Sequence, residues 1–300
     1  STSLTTDDYN GPPDDIPETD YTQFVVLNTT DGAGDAVTVA DPVDPGSGEY
    51  DRNFGIRSNK FSHRIFEAGN DTEVVQSSSD FNDGNTHVGA VQVEQGNGQF
   101  VYVDGAQVAS GNKDVSGFDF EKGIVIGGHS ADQSYGFLNG NIGEVILFSS
   151  VLNDAERLIV ENYLSSKYGA ILAAGKDKYQ YDTNYGVDVA GIGRETTSAQ
   201  HLSANSDVLN FEVGGSVDAA GFSADDQYVL VGHDDGAQED FSTSSFSDPI
   251  NGLSADAKRI GRTWRTDLTF NNGSGPKSVT ISVDADSLPA KPNAGDSYFI

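Results

Sequence analysis

Acidic and amide side chains recur in short runs whose chemistry suits calcium. Residues 31–35 place two carboxylates on a glycine turn, and residues 182–188 place Asp, Asn and Asp two and four positions apart around a glycine. Ca²⁺ takes about six to eight oxygen ligands from flexible loops. The candidate ligands are Asp31, Asp35, Asp182, Asn184, Asp188, Asp234, Asp235 and Asp240. The 182–188 run lacks a complete EF-hand loop and its distal Glu, so a solvated acidic turn remains the alternative for each run.

Aromatic side chains near loops are candidates for a sugar platform. Sugar binding needs an aromatic ring beside polar groups at the loop ends. Tyr135, Phe137, Tyr50 and Phe54 lie near loops. Most Tyr and Phe residues of a β-sandwich pack into its core, which is the alternative for each of them. Tyr135 and Phe137 are the predicted ligand-binding residues.

Catalytic patterns are absent from the sequence. A retaining glycosidase needs two carboxylates about 5–5.5 Å apart. On one strand, this distance requires acidic residues at alternating positions. Glu144 and Glu212 are instead isolated acids. The chain has no cysteine, no G-x-S-x-G, and no H-E-x-x-H, and its five histidines are scattered without zinc-ligand spacing. We therefore expect no catalytic residues and no enzyme activity, and a glycoside hydrolase stays as the least favoured alternative.

Short strands joined by polar turns must position these residues. In the first half we predict strands at 24–27, 53–57, 63–67, 87–93, 99–103, 123–126 and 145–148, and in the second half at 188–192, 208–211, 228–232, 259–270 and 278–283. Asp104-Gly105 is a favoured type I′ turn pair, so residues 99–108 should form a hairpin. This spacing of strands is typical of a β-sandwich.

One amphipathic helix is predicted at 154–167. Asn153 can cap it, Glu156 stands three residues later as in a capping box, and Gly169 supplies a C-terminal stop. Ala155, Leu158, Ile159 and Tyr163 recur on one face. We expect this face to dock on a sheet.

The charge balance restricts the partners. The chain of 300 residues carries 46 Asp and Glu against 17 Lys and Arg, a formal net charge of −29. Such a surface repels nucleic acid and anionic membranes, and it favours divalent cations or a salty medium. No apolar run approaches the ~20 residues that span a bilayer. Neither nucleic-acid binding nor membrane insertion is expected.

A family resemblance covers about residues 21–170. Three runs of this chain, at 100–108, 126–128 and 137–169, resemble the laminin-G-like, concanavalin-A-like jelly rolls of bacterial surface adhesins. Those domains have a strand with a “yvDG” turn, then an “iGg” strand, then “F.G.I.EV..F...L...ER..ie.YL..KYG”. The matching residues of the last run are Phe137, Gly140, Ile142, Glu144, Leu152, Glu156, Tyr163, Leu164, Lys167, Tyr168 and Gly169. Residues 179–300 resemble the β domain that often follows this jelly roll, with matching runs at 188–194, 228–234 and 262–265.

The chain departs from that pattern at its start. Such jelly rolls begin with a strand and a loop well before residues 24–27, whereas here an acidic stretch of 20 residues precedes them. Together with the missing Met and the strand-like end at 297–300, this suggests a chain cut from something longer. An incomplete sandwich exposes a sheet edge, which invites a strand from a neighbouring copy.

The resulting interpretation is an all-β chain: a concanavalin A-like jelly-roll β-sandwich with one amphipathic helix, followed by a second β-sandwich-like domain. Residues 1–20 are predicted as an acidic arm or linker, 21–175 as the jelly roll ending in the helix, and 176–300 as the second domain, truncated at its C-terminus. We expect a non-catalytic extracellular or cell-surface module for adhesion that binds a glycan or protein, with calcium as a candidate stabiliser. The alternative is a structural subunit of a filament or surface assembly joined to copies of itself by strand complementation.

Overall fold

The computed structural model of the chain describes residues 4–5, 19–40, 51–66, 73–113, 123–129, 136–213, 222–237, 261–270 and 279–284. The chain divides into two compact units. The first comprises residues 1–153 with 168–177, and the second comprises residues 154–167 with 178–300.

The first unit is built of antiparallel strands. These are β1 (Leu4–Thr5), β2 (Tyr21–Thr29), β3 (Ala33–Ala40), β4 (Asp51–Arg57), β5 (Lys60–Phe66), β6 (Glu73–Gln76), β7 (Thr86–Glu94), β8 (Gly98–Val103), β9 (Ala106–Gly111), β10 (Gly123–Ile126) and β11 (Gly140–Phe148). They form a six-stranded sheet in the order β1-β10-β3-β4-β5-β6 and a five-stranded sheet in the order β11-β2-β7-β8-β9. This is the predicted jelly-roll sandwich.

The core of the first unit lies between these two sheets. Alternate residues of each strand face it, because successive side chains of a strand point to opposite faces. From the six-stranded sheet come Val37, Val39, Phe54, Ile56, Phe61, Ile65 and Val75, and from the five-stranded sheet Tyr21, Val25, Leu27, Val91, Val93, Val101 and Val103. Such burial of aliphatic and aromatic area is the main term that stabilises the sandwich.

The predicted hairpin at 99–108 is confirmed. β8 and β9 pair across Asp104 and Gly105, whose φ angles are 51° and 86°. Positive φ at both central residues is the geometry of a type I′ turn, which Asp-Gly adopts at little cost.

The acidic stretch at the start contains a strand that the sequence did not predict. Leu4 pairs with Ile126 and Thr5 pairs with Val125, so β1 lies antiparallel at one edge of the six-stranded sheet. The predicted turn at 31–35 is also shorter than expected, because β3 already begins at Ala33.

The second unit is a smaller sandwich with a helix on one side. Its elements are α1 (Asp154–Tyr168), α2 (Asp182–Tyr185), β12 (Val187–Thr196), β13 (Ala199–His201), β14 (Ser203–Ser206), β15 (Leu209–Val213), β16 (Gln227–His233), β17 (Trp264–Thr269) and β18 (Val279–Val283). The sheet β13-β12-β16-β17 faces the sheet β14-β15-β18, with Ile192, Phe211, Phe222, Val229 and Val231 between them.

The helix α1 covers the other face of the β12–β16 sheet. Leu158 and Ile159 of the helix pack with Tyr179, Tyr228 and Leu230. Because both faces of the sheet are covered, β16 is buried along its whole length. The sequence placed this helix at the end of the jelly roll, whereas its residues 154–167 lie in the second unit.

Within the described part of the chain, none of the helices has the length and apolar character required to cross a membrane.

Candidate functional site

A row of buried polar side chains lies on the face of the six-stranded sheet that points away from the core. Thr38 of β3 and Asn53 of β4 are register partners there, and both are buried, with exposed fractions of 0% and 4%. They alternate with the core residues Val37, Val39 and Phe54. A polar row that is buried outside the apolar core requires hydrogen-bond partners.

Asn53 is the centre of a hydrogen-bond network. Its Nδ2 donates to Thr38 Oγ1 at 2.9 Å and lies 3.0 Å from His129 Nδ1. Its Oδ1 accepts a bond from Arg64 Nε at 2.9 Å, and Thr38 Oγ1 donates to the carbonyl of Gly128 at 2.9 Å. Three strands and the segment after β10 are thereby linked through one amide.

Asp35 and Phe137, both predicted site residues, are brought together beside this network. They form a parallel bridge, and the Asp35 N–H donates to the carbonyl of Gly136 at 2.8 Å. Asp35 Oδ2 lies 3.1 Å from His129 Nδ1. Asp35, Phe137 and His129 therefore lie close together, with Asp35 and Phe137 partly exposed and His129 8% exposed.

Asp31 lies where several loops of the first unit meet. Its Oδ1 accepts a bond from Gly32 N at 2.7 Å, and Asn139 Nδ2 donates to its Oδ2 at 3.4 Å. Asn82 Nδ2 donates to Asn59 Oδ1 at 3.2 Å and to Thr30 O at 3.4 Å. The connections after β2, between β4 and β5, before β7 and before β11 form a polar rim.

His87 links the loop before β7 to the turn between β8 and β9. Its Nδ1 lies 2.7 Å from Asp104 Oδ2, and its Nε2 lies 3.1 Å from Asp83 Oδ1. Burial alone lowers the pKa of His87, but the hydrogen bonds and charges of Asp104 and Asp83 outweigh burial and raise that pKa. The backbone bond from Asn85 is the main cause that lowers the pKa of Asp83, and His87 adds to it.

A third histidine, His63, lies inside the sandwich. His63 contacts Tyr21 Oη at 3.2 Å and Gln99 Oε1 at 2.5 Å, and Gln99 Nε2 donates to Glu73 Oε2 at 2.6 Å. Burial lowers the pKa of His63 to about 4, with the charge of Arg52 acting in the same direction and the Gln99 bond opposing it. This network runs from the buried His63 to the partly exposed Glu73.

The remaining candidate ligands lie in the second unit. Asp182 and Asn184 belong to α2, and Asp188 Oδ2 lies 3.1 Å from His233 Nε2. Asp234 Oδ1 accepts bonds from Gly236 N at 3.0 Å and Thr263 N at 2.9 Å, and Asp235 lies 3.5 Å from Arg262. Asp182, Asn184, Asp188 and Asp234 line one cavity, whereas Asp235 is not among its lining residues.

The structure shows where most of the predicted calcium ligands and aromatic residues lie, and their binding roles stay predictions. In the part of the chain that the structure describes, no three His, Asp or Glu side chains form a group able to hold a metal ion. Phe54 packs in the core, which is the alternative weighed for it. Tyr50, Tyr135 and Asp240 lie outside the described residues.

Sequence reasoning missed His129, Asn53 and Arg64. Each is an ordinary strand or loop residue in the sequence, and no fixed spacing links them to Asp35. Only the β3–β4–β5 register and the segment after β10 bring them together. The alternation of Asn53 with Phe54 was the one available signal.

Two family comparisons cover the chain. The family described as the concanavalin A-like lectin/glucanases superfamily matches residues 5–156, which is more than half of the chain. A family described only as a domain of unknown function matches residues 156–300. The two matches meet at the start of α1. No curated protein matches the chain significantly.

Solved structures resemble the chain at low identity. The heptameric SAP-like pentraxin from Limulus polyphemus is 12% identical with a TM-score of 0.39 and covers 49% of this chain and 71% of its own. The Ruminococcus gnavus IT-sialidase CBM40 bound to alpha2,3 sialyllactose is 13% identical with a TM-score of 0.39. That match covers 46% of this chain and 80% of the CBM40 chain. Mouse laminin alpha1 domains LG4-5 are 13% identical with a TM-score of 0.40, and the match covers 77% of this chain and 69% of the laminin chain.

Proposed function

Because the chain belongs to the concanavalin A-like lectin/glucanases superfamily, we propose that it is a non-catalytic extracellular module whose first unit binds a glycan. The binding surface is the one formed by Asp35, Phe137 and His129. In an adhesive protein this module supplies the contact with the surface to which the protein attaches.

The convergence of Asp35 and Phe137 is the observation that carries this proposal. A sugar ring offers an apolar C–H face and a rim of hydroxyl groups, so a site for it needs an aromatic face with polar groups close by. Phe137 supplies the ring, Asp35 supplies acceptors, and His129 lies 3.1 Å from Asp35. The Asn53 network holds His129 from behind, so the surface is formed before the ligand arrives.

The contacts of the carboxylates support a non-catalytic role. Glycoside hydrolysis uses two carboxyl groups that flank the scissile bond. Asp35 is paired with a histidine, and Asp31 accepts from a backbone N–H and an asparagine. Neither contact is the carboxyl pair that this chemistry uses.

Composition supports a location outside the cell. The chain has no cysteine and a net charge of −29, which keeps it soluble in a salty medium and repels anionic polymers. An acidic surface also favours neutral over anionic glycans as ligands.

Calcium is a separate proposal for the first unit, with Asp31 and Asp35 as its ligands. The described residues contain no group of three acidic or histidine side chains suited to a metal ion, so calcium here has to take amide and carbonyl oxygens as well. Isothermal titration with Ca²⁺ tests this. Saturable heat that Asp31→Asn abolishes supports the proposal, and no heat above dilution contradicts it.

A glycan array tests the glycan-binding proposal. The fluorescently labelled full chain should bind a restricted set of glycans, and Asp35→Asn should lose that signal. The matched control Asp80→Asn changes an exposed carboxylate that pairs with Lys60 on the same unit and should bind like wild type. Uniform absence of binding would favour a protein ligand instead.

Self-assembly is the second candidate, and the edge strand β1 favours it. Leu4 and Thr5 form the last strand of the six-stranded sheet and pair only with β10 among the described strands. A short edge strand exchanges between copies at little cost. Light scattering over a range of concentrations tests this: assembly that is lost in Leu4→Pro supports exchange, and a monomer at every concentration contradicts it.

A further inference from the structure

The second unit contains a cavity of about 430 Å³ that the proposed function does not use. It lies within the second unit, between the end of α1 and the segment that carries α2. Its lining includes Tyr163, Lys167, Asp182, Asn184, Asp188 and Asp234. Its volume is in the range of small-molecule sites, roughly 300–1,000 Å³.

The wall that carries α2 is held in place. Tyr179 Oη donates to the carbonyl of Tyr185 at 2.9 Å. A Cβ atom at Gly186 would lie 2.4 Å from Asp182 O and 3.1 Å from Ser166 O, so glycine lets this segment approach the last turns of α1. These contacts fix the α2 segment against the end of α1.

Asp188 is directed to the cavity by a bulge. The register of β12 against β16 shifts between Val187 and Ala190, and Asp188 has a φ of 48°. Its carboxylate lies 3.1 Å from His233 Nε2, and its carbonyl accepts a bond from Ser206 Oγ at 2.9 Å. Bulges re-aim side chains next to binding sites.

The opposite wall provides donors beside an aromatic ring. Lys167 Nζ donates to Tyr163 Oη at 2.6 Å and lies 5.0 Å from the centroid of that ring. Tyr163 packs against the core formed by Leu158 and Tyr228, which fixes the ring. An ammonium group, a phenol and a ring face thus border the same cavity as the acceptors.

This lining is matched to a ligand with hydroxyl groups spread over its surface. No three of the acidic side chains among the described residues converge as a metal site requires, so the acceptors are distributed over the wall. We propose that the second unit binds a neutral mono- or disaccharide in this cavity, with acceptors from Asp188 and Asn184, a donor from Lys167 and the Tyr163 ring as an apolar surface. The site is independent of the one on the first unit.

Saturation-transfer NMR of the full chain tests this proposal. The probes are neutral hexoses, pentoses, N-acetylhexosamines and their common disaccharides. Wild type should transfer saturation to at least one sugar, and Phe137→Ala should still do so. In that Phe137→Ala background, adding Asp188→Asn or Lys167→Met should reduce the remaining signal at least fivefold. Asn184→Ala changes an exposed side chain and serves where either of the others fails to fold.

Two controls keep this site apart from the first. Phe137→Ala removes the first unit's ring, so the signal that remains in this variant comes from the second unit. Adding Glu212→Gln, which changes an exposed acid elsewhere in the second unit, should leave that remaining signal unchanged. A signal lost in Phe137→Ala and kept in Lys167→Met places sugar binding in the first unit alone and overturns the proposal. Absence of transfer to every sugar also overturns it, as does saturable Ca²⁺ binding that Asp188→Asn abolishes while no sugar binds.

Discussion

His129 Nδ1 lies 3.1 Å from Asp35 Oδ2, and these residues stand 94 positions apart in the chain. The same nitrogen lies 3.0 Å from Asn53 Nδ2. A single ring nitrogen serves either as an acceptor for the amide or as a donor to the carboxylate, so a ligand that engages Asp35 leaves the imidazole to the Asn53 network. The binding surface and the buried polar row are thus one connected unit.

Replacing Asn53 should destabilise the first unit. The Asn53→Ala change removes the partner shared by buried Thr38 and by Arg64 and His129, and the lost hydrogen bonds should lower the free energy of unfolding by about 1–3 kcal/mol. Denaturant unfolding of the variant measures this. Asn97→Ala, at an exposed turn position, should stay within about 0.5 kcal/mol of wild type; equal effects at both positions would refute the role given to Asn53.

Local signals in the sequence predicted local structure well. The Asp104-Gly105 turn and the helix that ends at Gly169, whose φ is 69°, follow from preferences of neighbouring residues. The short helix α2 was missed, because Asp182 and Asn184 beside a glycine are typical of a turn. The link between Asp35 and Phe137 depends on a parallel bridge between distant segments, which no local pattern encodes.

His87 should make stability fall as pH rises. Its pKa is raised in the folded state, because Asp104 and Asp83 together outweigh burial. Its contribution is therefore fully present below the unfolded value of about 6.5 and is lost as pH rises through the folded pKa. The free energy of unfolding between pH 5.5 and 8.5 should show this decline in wild type and not in His87→Gln. His201→Gln, at a more exposed histidine, should keep it.

His63 should make stability fall as pH falls, opposite to His87. Burial lowers its pKa to about 4, so between pH 6.5 and 4 the unfolded chain binds a proton that the folded chain does not. Stability from this group should fall as pH falls through that window. The slope of the unfolding free energy against pH should be smaller in His63→Gln than in wild type; an unchanged slope would show that His63 does not titrate in this way.

The buried ion pair of α1 should stabilise the second unit. Arg157 Nη1 lies 2.7 Å from Glu161 Oε2, and the Glu161 side chain is 0% exposed. Arg157→Met leaves a buried carboxylate without that cation and should cost about 3–5 kcal/mol, whereas the double change with Glu161→Leu should recover most of the loss. A double variant no more stable than the single one would contradict this.

The affinity of Phe137→Ala for the best array glycan tests the central claim most directly. Biolayer interferometry or calorimetry should show at least a tenfold weaker Kd than wild type, with an unchanged melting temperature. Phe270→Ala removes a ring that is 41% exposed on the second unit and should bind as wild type does. A glycan affinity equal in wild type, Phe137→Ala and Phe270→Ala would contradict binding at the Asp35–Phe137 surface.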